Sequence, residues 1–300
     1  MAYIEISHLT KDFGGGRGIF NIDLSIEKGE VFGFVGTNGA GKTTTIRHLM
    51  GFLKAEKGTA IINGLDCWKD ASEIKKFVGY IPGEIAFPDA ATGTQFLRQQ
   101  AELQGLKDFS YAETLIEKLQ LDPTANLKRM SKGMKQKTAI VAALMADPEV
   151  LILDEPTTGL DPLMRAVFVG ILKEEKKKGK TIFMSSHMFE EVEETCDKVA
   201  MIKDGKIIAV KATSEVKHNE NKVYTISFAD VEDYNHFQEQ NFNVKEKCDR
   251  ELKVTLQIHD GQINVLFRAL TEYKIKSITE EKFTLEQYFH RLYKEGTANV

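Results

Sequence analysis

The stretch Gly36-Thr37-Asn38-Gly39-Ala40-Gly41-Lys42-Thr43-Thr44 decides the fold. It matches G-x-x-x-x-G-K-[ST], with Gly36, Gly41, Lys42 and Thr43 on the fixed positions. This spacing solves one physical problem, the holding of a polyphosphate. Small residues let the backbone curl so that successive N–H groups converge on one centre. The helix that follows adds the positive end of its dipole. Lys42 supplies a mobile cation for the outer phosphates, and Thr43 a hydroxyl for a magnesium ion, which prefers hard oxygen ligands. The flanks agree. Val31 to Val35 is a short apolar strand between Gly29 and Gly36, and Thr44 to Phe52 predicts a helix with Ile46, Leu49 and Met50 at helical spacing. A chance glycine-rich turn needs neither flank.

A second motif lies downstream. Val150, Leu151, Ile152 and Leu153 form an all-apolar run that ends in Asp154-Glu155-Pro156. Such a run reads as a strand buried on both faces of a parallel sheet. Acids at its carboxyl end fall where open α/β sheets place their ligands. Asp154 suits a magnesium ion held through water, and Glu155 suits a general base that polarises an attacking water. The pair is weak alone and specific behind a phosphate loop. The turn Thr158-Gly159-Leu160-Asp161-Pro162 follows. A further apolar strand, Thr181 to Met184, ends in Ser185-Ser186-His187. A lone histidine is more often structural, but one placed here can reach a γ-phosphate.

Composition bounds the rest. The 300 residues suffice for one large or two modest domains, and 42% of them are hydrophobic. Lys+Arg 40 against Asp+Glu 44 gives a net charge of -4 and no basic footprint, so no nucleic-acid partner is expected. The run Lys173 to Lys180 reads as a solvated helix face and exit, with contact to acidic lipid headgroups as the alternative. Cys67, Cys196 and Cys248 lack C-x-x-C spacing, which predicts reduced cytosolic thiols without a disulfide or metal site. The N-terminus has no apolar signal-peptide core. No apolar run approaches the roughly 18 residues a membrane span requires, so contact with a membrane would go through a partner.

This ordered set of motifs, over roughly residues 1 to 215, resembles the ATP-binding subunits of ABC transporters. The resemblance implies an α/β P-loop NTPase fold, with a RecA-like core, an antiparallel β subdomain and a helical subdomain. It makes Gly36 to Thr44 the Walker A loop, Leu151 to Pro156 the Walker B strand, Thr158 to Asp161 the D-loop and His187 the switch histidine. Phe13 sits where the family stacks an aromatic on adenine; its plain reading is a hydrophobic residue near a β-turn. The family signature LSGGQ is here Met130-Ser131-Lys132-Gly133-Met134. Ser131, as helix N-cap, and Gly133 would face the ATP of a second ATP-binding subunit. The implied cofactors are ATP and Mg2+. The implied partners are that second subunit and a polytopic membrane permease, with the chain held peripherally at the cytoplasmic face of the cell membrane.

Two departures stand out. Lys132 and Met134 replace the first glycine and the glutamine of the signature, and Gly83 replaces the glutamine expected after Gly79-Tyr80-Ile81-Pro82. Glu84 could take over that glutamine's part, or the loop could couple through its backbone. These forms resemble the drug- and peptide-exporter (ABC-2-like) branch.

The chain divides by composition into an ATP-binding domain, 1–216, and an accessory α+β domain, 217–300, of ferredoxin-like character. Tyr3 to Ile6, Ile22 to Ile26 and Gly58 to Ile62 read as an antiparallel sheet beside the nucleotide. A helical subdomain occupies about 90–145, with Phe96, Leu97, Leu103, Leu115, Ile116, Leu119 and Leu121 at helical spacing. After the polar linker Lys217 to Lys222, Tyr224, Ile226 and Phe228 alternate, as do Leu252, Val254, Leu256 and Ile258. Ile263, Leu266, Phe267 and Leu270 mark one helix. Thr284 and Gln287 cap another, carrying Tyr288, Phe289, Leu292 and Tyr293. Two other functions compete. A soluble ABC ATPase acting on ribosomes or DNA usually has two cassettes or long coiled-coil insertions, which this chain lacks. A regulatory ATP-binding module with little turnover would follow if the altered signature had ended hydrolysis.

Overall fold

The computed structural model describes residues 2–88, 90–217, 221–281 and 284–295. The chain forms two compact units, one ending at Thr213 and one beginning at Ser214. In the first, β1 (Ala2–Asp12) and β2 (Gly18–Glu27) precede β3 (Val31–Val35) and α1 (Lys42–Leu49). Then come β4 (Lys57–Ile62), β5 (Leu65–Asp66), the single turn α2 (Ala71–Ile74) and β6 (Val78–Ile81). Three helices follow: α3 (Gly93–Leu103), α4 (Ser110–Lys118) and α5 (Lys132–Leu144). The chain returns through β7 (Val150–Asp154), α6 (Pro162–Lys177), β8 (Thr181–Ser186), α7 (Phe189–Thr195), β9 (Lys198–Lys203) and β10 (Lys206–Ala212), before α8 (Thr213–Lys217).

Two sheets carry this unit. β2-β1-β4-β5 is antiparallel, and β10-β9-β3-β8-β7-β6 is parallel except for β10. Ile4, Ile6, Ile22 and Ile26 from the first sheet, Ile46 and Leu49 from α1, and Phe32, Phe34 and Ile152 from the second share one core. The strands β3, β7 and β8 are buried at every position, as their unbroken apolar runs require. Their order matters for chemistry. Val35 pairs with Ser186 and Asp154 with Ser185, so three chain exits open side by side at the carboxyl ends of neighbouring strands. The α1 helix starts at Lys42, two residues before the expected start, and ends at Leu49 rather than Phe52. The start is early because the helix opens directly from the phosphate loop at Gly41.

Two readings of the helices need correction. Leu103 is 80% exposed, because the buried face of α3 runs through Phe96, Leu97 and Ala101. The Lys173 to Lys180 run is not a wholly solvated face. Phe168, Ile171 and Leu172 define the inner face of α6, and helical spacing carries that face on to Glu175, which is fully buried. Lys180 is buried with it, its Nζ 2.6 Å from Glu175 Oε2. Tyr111 of α4 donates to Glu175 Oε1 at 2.6 Å, and Lys178 Nζ donates at 2.8 Å. Burial alone would push the Glu175 carboxyl up. The hydrogen bonds from Lys178, Lys180 and Tyr111 hold it below the ordinary glutamate value. This ion cluster fastens the helical segment to α6.

The second unit contains β11 (Asn221–Phe228), α9 (Val231–Phe237), β12 (Asn243–Cys248), β13 (Lys253–His259), α10 (Ile263–Leu270), β14 (Ile275–Glu281) and α11 (Leu285–Glu295). Its antiparallel sheet has the order β12-β13-β11-β14, the split βαβ arrangement of ferredoxin-like domains. Tyr224, Ile226, Phe228, Val254, Leu256, Ile258, Leu266 and Leu270 fill the core. Phe267 instead stays 45% exposed, its ring edge-on to Tyr224. Thr284 and Gln287 bond reciprocally, Gln287 N–H to Thr284 Oγ1 at 3.2 Å and Thr284 N–H to Gln287 Oε1 at 3.1 Å. Residues 218–220 of the linker and the Tyr293 side chain lie outside the described residues.

Removing one partner of a buried ion cluster strands the others. Glu175→Ala is therefore expected to cost about 3 kcal/mol of stability by denaturant titration. A loss below about 1 kcal/mol, the scale of an exposed pair, would contradict the cluster's structural role.

Candidate active site

The loop after β3 curls back on itself, Ala40 N–H donating to Thr37 O at 3.1 Å. Gly41 caps α1 at φ 112, and no side chain caps the helix, so its first N–H groups face outward. They open onto a cleft of about 260 Å3. Asn38, Gly39, Gly41, Lys42, Thr43 and Thr44 line it together with Phe13, Arg17, Gly18 and Glu155. Gly36, Thr37 and Ala40 are not among the lining residues. Gly36 and Thr37 contribute carbonyls instead: Lys42 Nζ donates to Gly36 O at 2.7 Å and to Thr37 O at 3.3 Å.

Lys42 is only 5% exposed, and its ammonium also lies 3.2 Å from Glu155 Oε1. Glu155 follows the end of β7 in a left-handed conformation, φ 51, which is costly for a residue with a Cβ. Its N–H is held by Ser185, through the carbonyl at 3.2 Å and the hydroxyl at 3.0 Å. That conformation turns the carboxylate toward Lys42. The other oxygen, Oε2, takes a hydrogen bond from His187 Nδ1. Burial pushes the Glu155 carboxyl up, but the charges of Lys42 and His187 outweigh it and hold the group below its ordinary value.

Asp154 is fully buried. Ser185 Oγ donates to its Oδ1 at 2.6 Å, while Oδ2 has no hydrogen-bond partner. An unpaired buried carboxylate oxygen is expensive unless something else fills it. Together with the Thr43 hydroxyl on the cleft wall, it is a hard-oxygen set that fits magnesium and its waters. Gly83 closes over the same oxygen: a Cβ there would stand 2.9 Å from Asp154 Oδ2. The glycine thus permits a close backbone approach. Glu84 is solvent-exposed.

The remaining sequence candidates sit apart from the cleft. Ser131 caps α5 and accepts from Met134 N–H at 3.2 Å. Asp161 caps α6 and accepts from Met164 N–H at 3.0 Å. Gly133 connects these two turns, since a Cβ on it would meet Gly159 O at 2.8 Å. Sequence reading missed Arg17 and Ser185. A lone cation inside the Gly14 to Gly18 loop was the available signal for Arg17, and the hydroxyl at the end of β8 that for Ser185.

Residues 19–158 match the family model described as ABC transporter. The bacitracin transport ATP-binding protein BcrA of Bacillus licheniformis is 32% identical over 303 residues, 98% of each chain. The chain is a member of the ABC transporter ATP-binding family. It is an ATP-binding, ATP-hydrolysing subunit. The ABC transporter ATP-binding protein NatA of Bacillus subtilis is 36% identical over 217 residues, 69% of this chain and 88% of NatA. The daunorubicin/doxorubicin resistance ATP-binding protein DrrA of Streptomyces peucetius is 33% identical over 222 residues, 71% of this chain and 66% of DrrA. Among solved structures, an ATP-binding subunit of an ABC transporter superposes with a TM-score of 0.66 at 28% identity, covering 72% of this chain and 92% of that one. The dimeric cassette MJ0796 bound to ADP and Pi shares the fold, with a TM-score of 0.63 at 20% identity, over 70% of this chain and 98% of that one.

The depressed Glu155 value makes stability depend on pH. A carboxyl held low in the folded state contributes stability above its unfolded value, near 4.5, and loses it as pH falls through the lower folded value. The stability difference between wild type and Glu155→Gln is therefore expected to stay constant above about pH 6 and shift against wild type below about pH 4. A pH-independent difference in denaturant titrations would contradict the charge pairing.

Proposed function

We propose that this ATPase works as one of a pair of cassettes beneath a polytopic membrane permease, at the cytoplasmic face of the membrane, and powers export of amphipathic drugs or peptides. The observation that carries this reading is the full-length match to a bacitracin transport protein, which extends through the C-terminal unit. DrrA, whose name records drug resistance, supports the same direction.

In this reading Phe13 stacks on adenine, and the loop amides of Asn38 to Thr44 with Lys42 hold the β- and γ-phosphates. Thr43 and Asp154 hold magnesium, which when bound neutralises phosphate charge. Glu155 accepts a proton from the attacking water, and His187 orients Glu155 and reaches the γ-phosphate. Lys42 and Glu155 neutralise each other before ATP arrives. Transfer of Lys42 to the phosphates removes part of the pull on the Glu155 carboxyl, so the base strengthens when substrate is in place. Ser131, Gly133 and Asp161 serve the ATP of the facing subunit, with the helix start at Ser131 turned to its γ-phosphate. The catalysis asked of these residues is positioning and charge stabilisation.

A groove of about 270 Å3 suits the permease contact. Tyr80, Pro82, Phe87, Phe96, Gln100 and Ala143 are among its lining residues, with the Phe87 ring edge-on to Phe96. Pro82 of this lining is followed in the chain by Gly83, whose backbone lies against Asp154. Movement of that loop would carry nucleotide state to the permease without a glutamine side chain.

Glu155→Gln tests the assignment. Loss of a general base is expected to lower turnover by about 100-fold or more while ATP still binds, and to trap an ATP-bound dimer visible by size-exclusion chromatography. Wild-type turnover in that variant would remove Glu155 from the reaction.

A further inference from the structure

Glu191 takes no part in the site as described, yet it is buried beside it. It lies on α7, four residues after His187, and is 6% exposed. A carboxylate in such a place needs compensation, because burial pushes its pKa up. Its Oε2 accepts from Thr157 Oγ1 at 2.9 Å and from Ser186 Oγ at 3.3 Å. Thr157 is two residues beyond Glu155, and Ser186 immediately precedes His187. Both donors are buried, at 5% and 2% exposure. Ser186 Oγ in turn receives Met188 N–H at 2.9 Å, on the other side of His187. One carboxylate oxygen therefore joins the segment that carries Glu155 to the segment that carries His187.

We propose that Glu191 is a positioning residue that fixes the distance between Glu155 and His187. The inference rests on the hydrolytic roles given to those two residues above. The contact between Glu155 and His187 is a hydrogen bond between side chains on two different chain exits; the β7–β8 ladder ends at Asp154 and Ser185, and the Ser185 carbonyl and hydroxyl on the Glu155 N–H hold the acidic exit only at its first residue. The Thr157–Glu191–Ser186 bridge spans them. Thr157 Oγ1 and Ser186 Oγ can both point at Oε2 only while the two exits keep their present spacing. Displacing a general base by about 1 Å can cost about 100-fold in rate, so a buried carboxylate used as a cross-brace has a mechanistic benefit that offsets its desolvation. Arg165 and His187 are the charged groups that act on Glu191, and both favour its ionised form. A neutral isostere should still brace, since the two contacts need only an acceptor oxygen.

The test compares Glu191→Ala, Glu191→Gln, Thr157→Val and the double variant Thr157→Val/Glu191→Ala in the full-length protein, with Glu155→Gln alongside. Turnover, ATP affinity and melting temperature are measured for each. Glu191→Ala and Thr157→Val are each expected to lower kcat about 10- to 100-fold with ATP affinity unchanged. The double variant should fall no further than the worse single one, because the residues act as a unit. Glu191→Gln should retain most of the turnover. Wild-type kcat in Thr157→Val, multiplying losses in the double variant, or equal losses in Glu191→Gln and Glu191→Ala would each overturn the brace. Thr157→Val nearly conserves volume, so it decides the matter even if Glu191→Ala fails to fold. If Glu155→Gln itself keeps full turnover, the fault lies in the hydrolytic assignment; if it loses turnover while Thr157→Val does not, the fault lies in the brace alone.

Discussion

A buried ammonium governs this site. Lys42 is withdrawn from water, and a cation there is tolerated only with oxygens around it. The protein meets that requirement from its own chain, with the Gly36 and Thr37 carbonyls and one oxygen of Glu155. In the proposed mechanism, phosphate oxygens compete for a position already occupied by negative charge. The same pairing keeps Glu155 ionised and weakly basic before substrate arrives. In the proposed mechanism, phosphate binding and base activation are two sides of one exchange of partners.

The proposed exchange needs three chain exits to meet at the carboxyl ends of neighbouring strands, and the sheet order ensures it. Strand β3 delivers the phosphate loop, its neighbour β8 delivers Ser185 and His187, and β7 beside that delivers Asp154 and Glu155. Ser185 ties the last two together, donating to Asp154 while accepting the Glu155 N–H. The strained backbone at Glu155 is held by these bonds. The Glu175 cluster secures α4 to α6, the helix that Asp161 begins.

Much of this was legible in the residues, for identifiable reasons. The phosphate loop and the acidic strand end carry chemistry that few other arrangements need, and unbroken apolar runs such as Val150 to Leu153 have few alternatives to a buried strand. The inner face of the second unit was legible where alternation was strict, as in Val254, Leu256 and Ile258. Strands β12 and β14 were not, because edge strands here are mostly exposed and charged and show no alternation. The burial of Glu175 and Lys180 escaped notice because a lysine-rich run looks solvated until the phase of α6 is known. Glu191 escaped for a related reason: its partners are near in space but 34 and 5 residues away in sequence. Gly83 looked like a lost side chain, and its backbone contact with Asp154 became visible only in three dimensions.

The most direct measurement is purification of the full-length protein from its native membranes in mild detergent, with identification and counting of what accompanies it. An ATPase that powers a permease should bring a stoichiometric polytopic membrane protein and two cassette copies per complex. Recovery of the protein alone, or bound to ribosomes or nucleic acid, would contradict it.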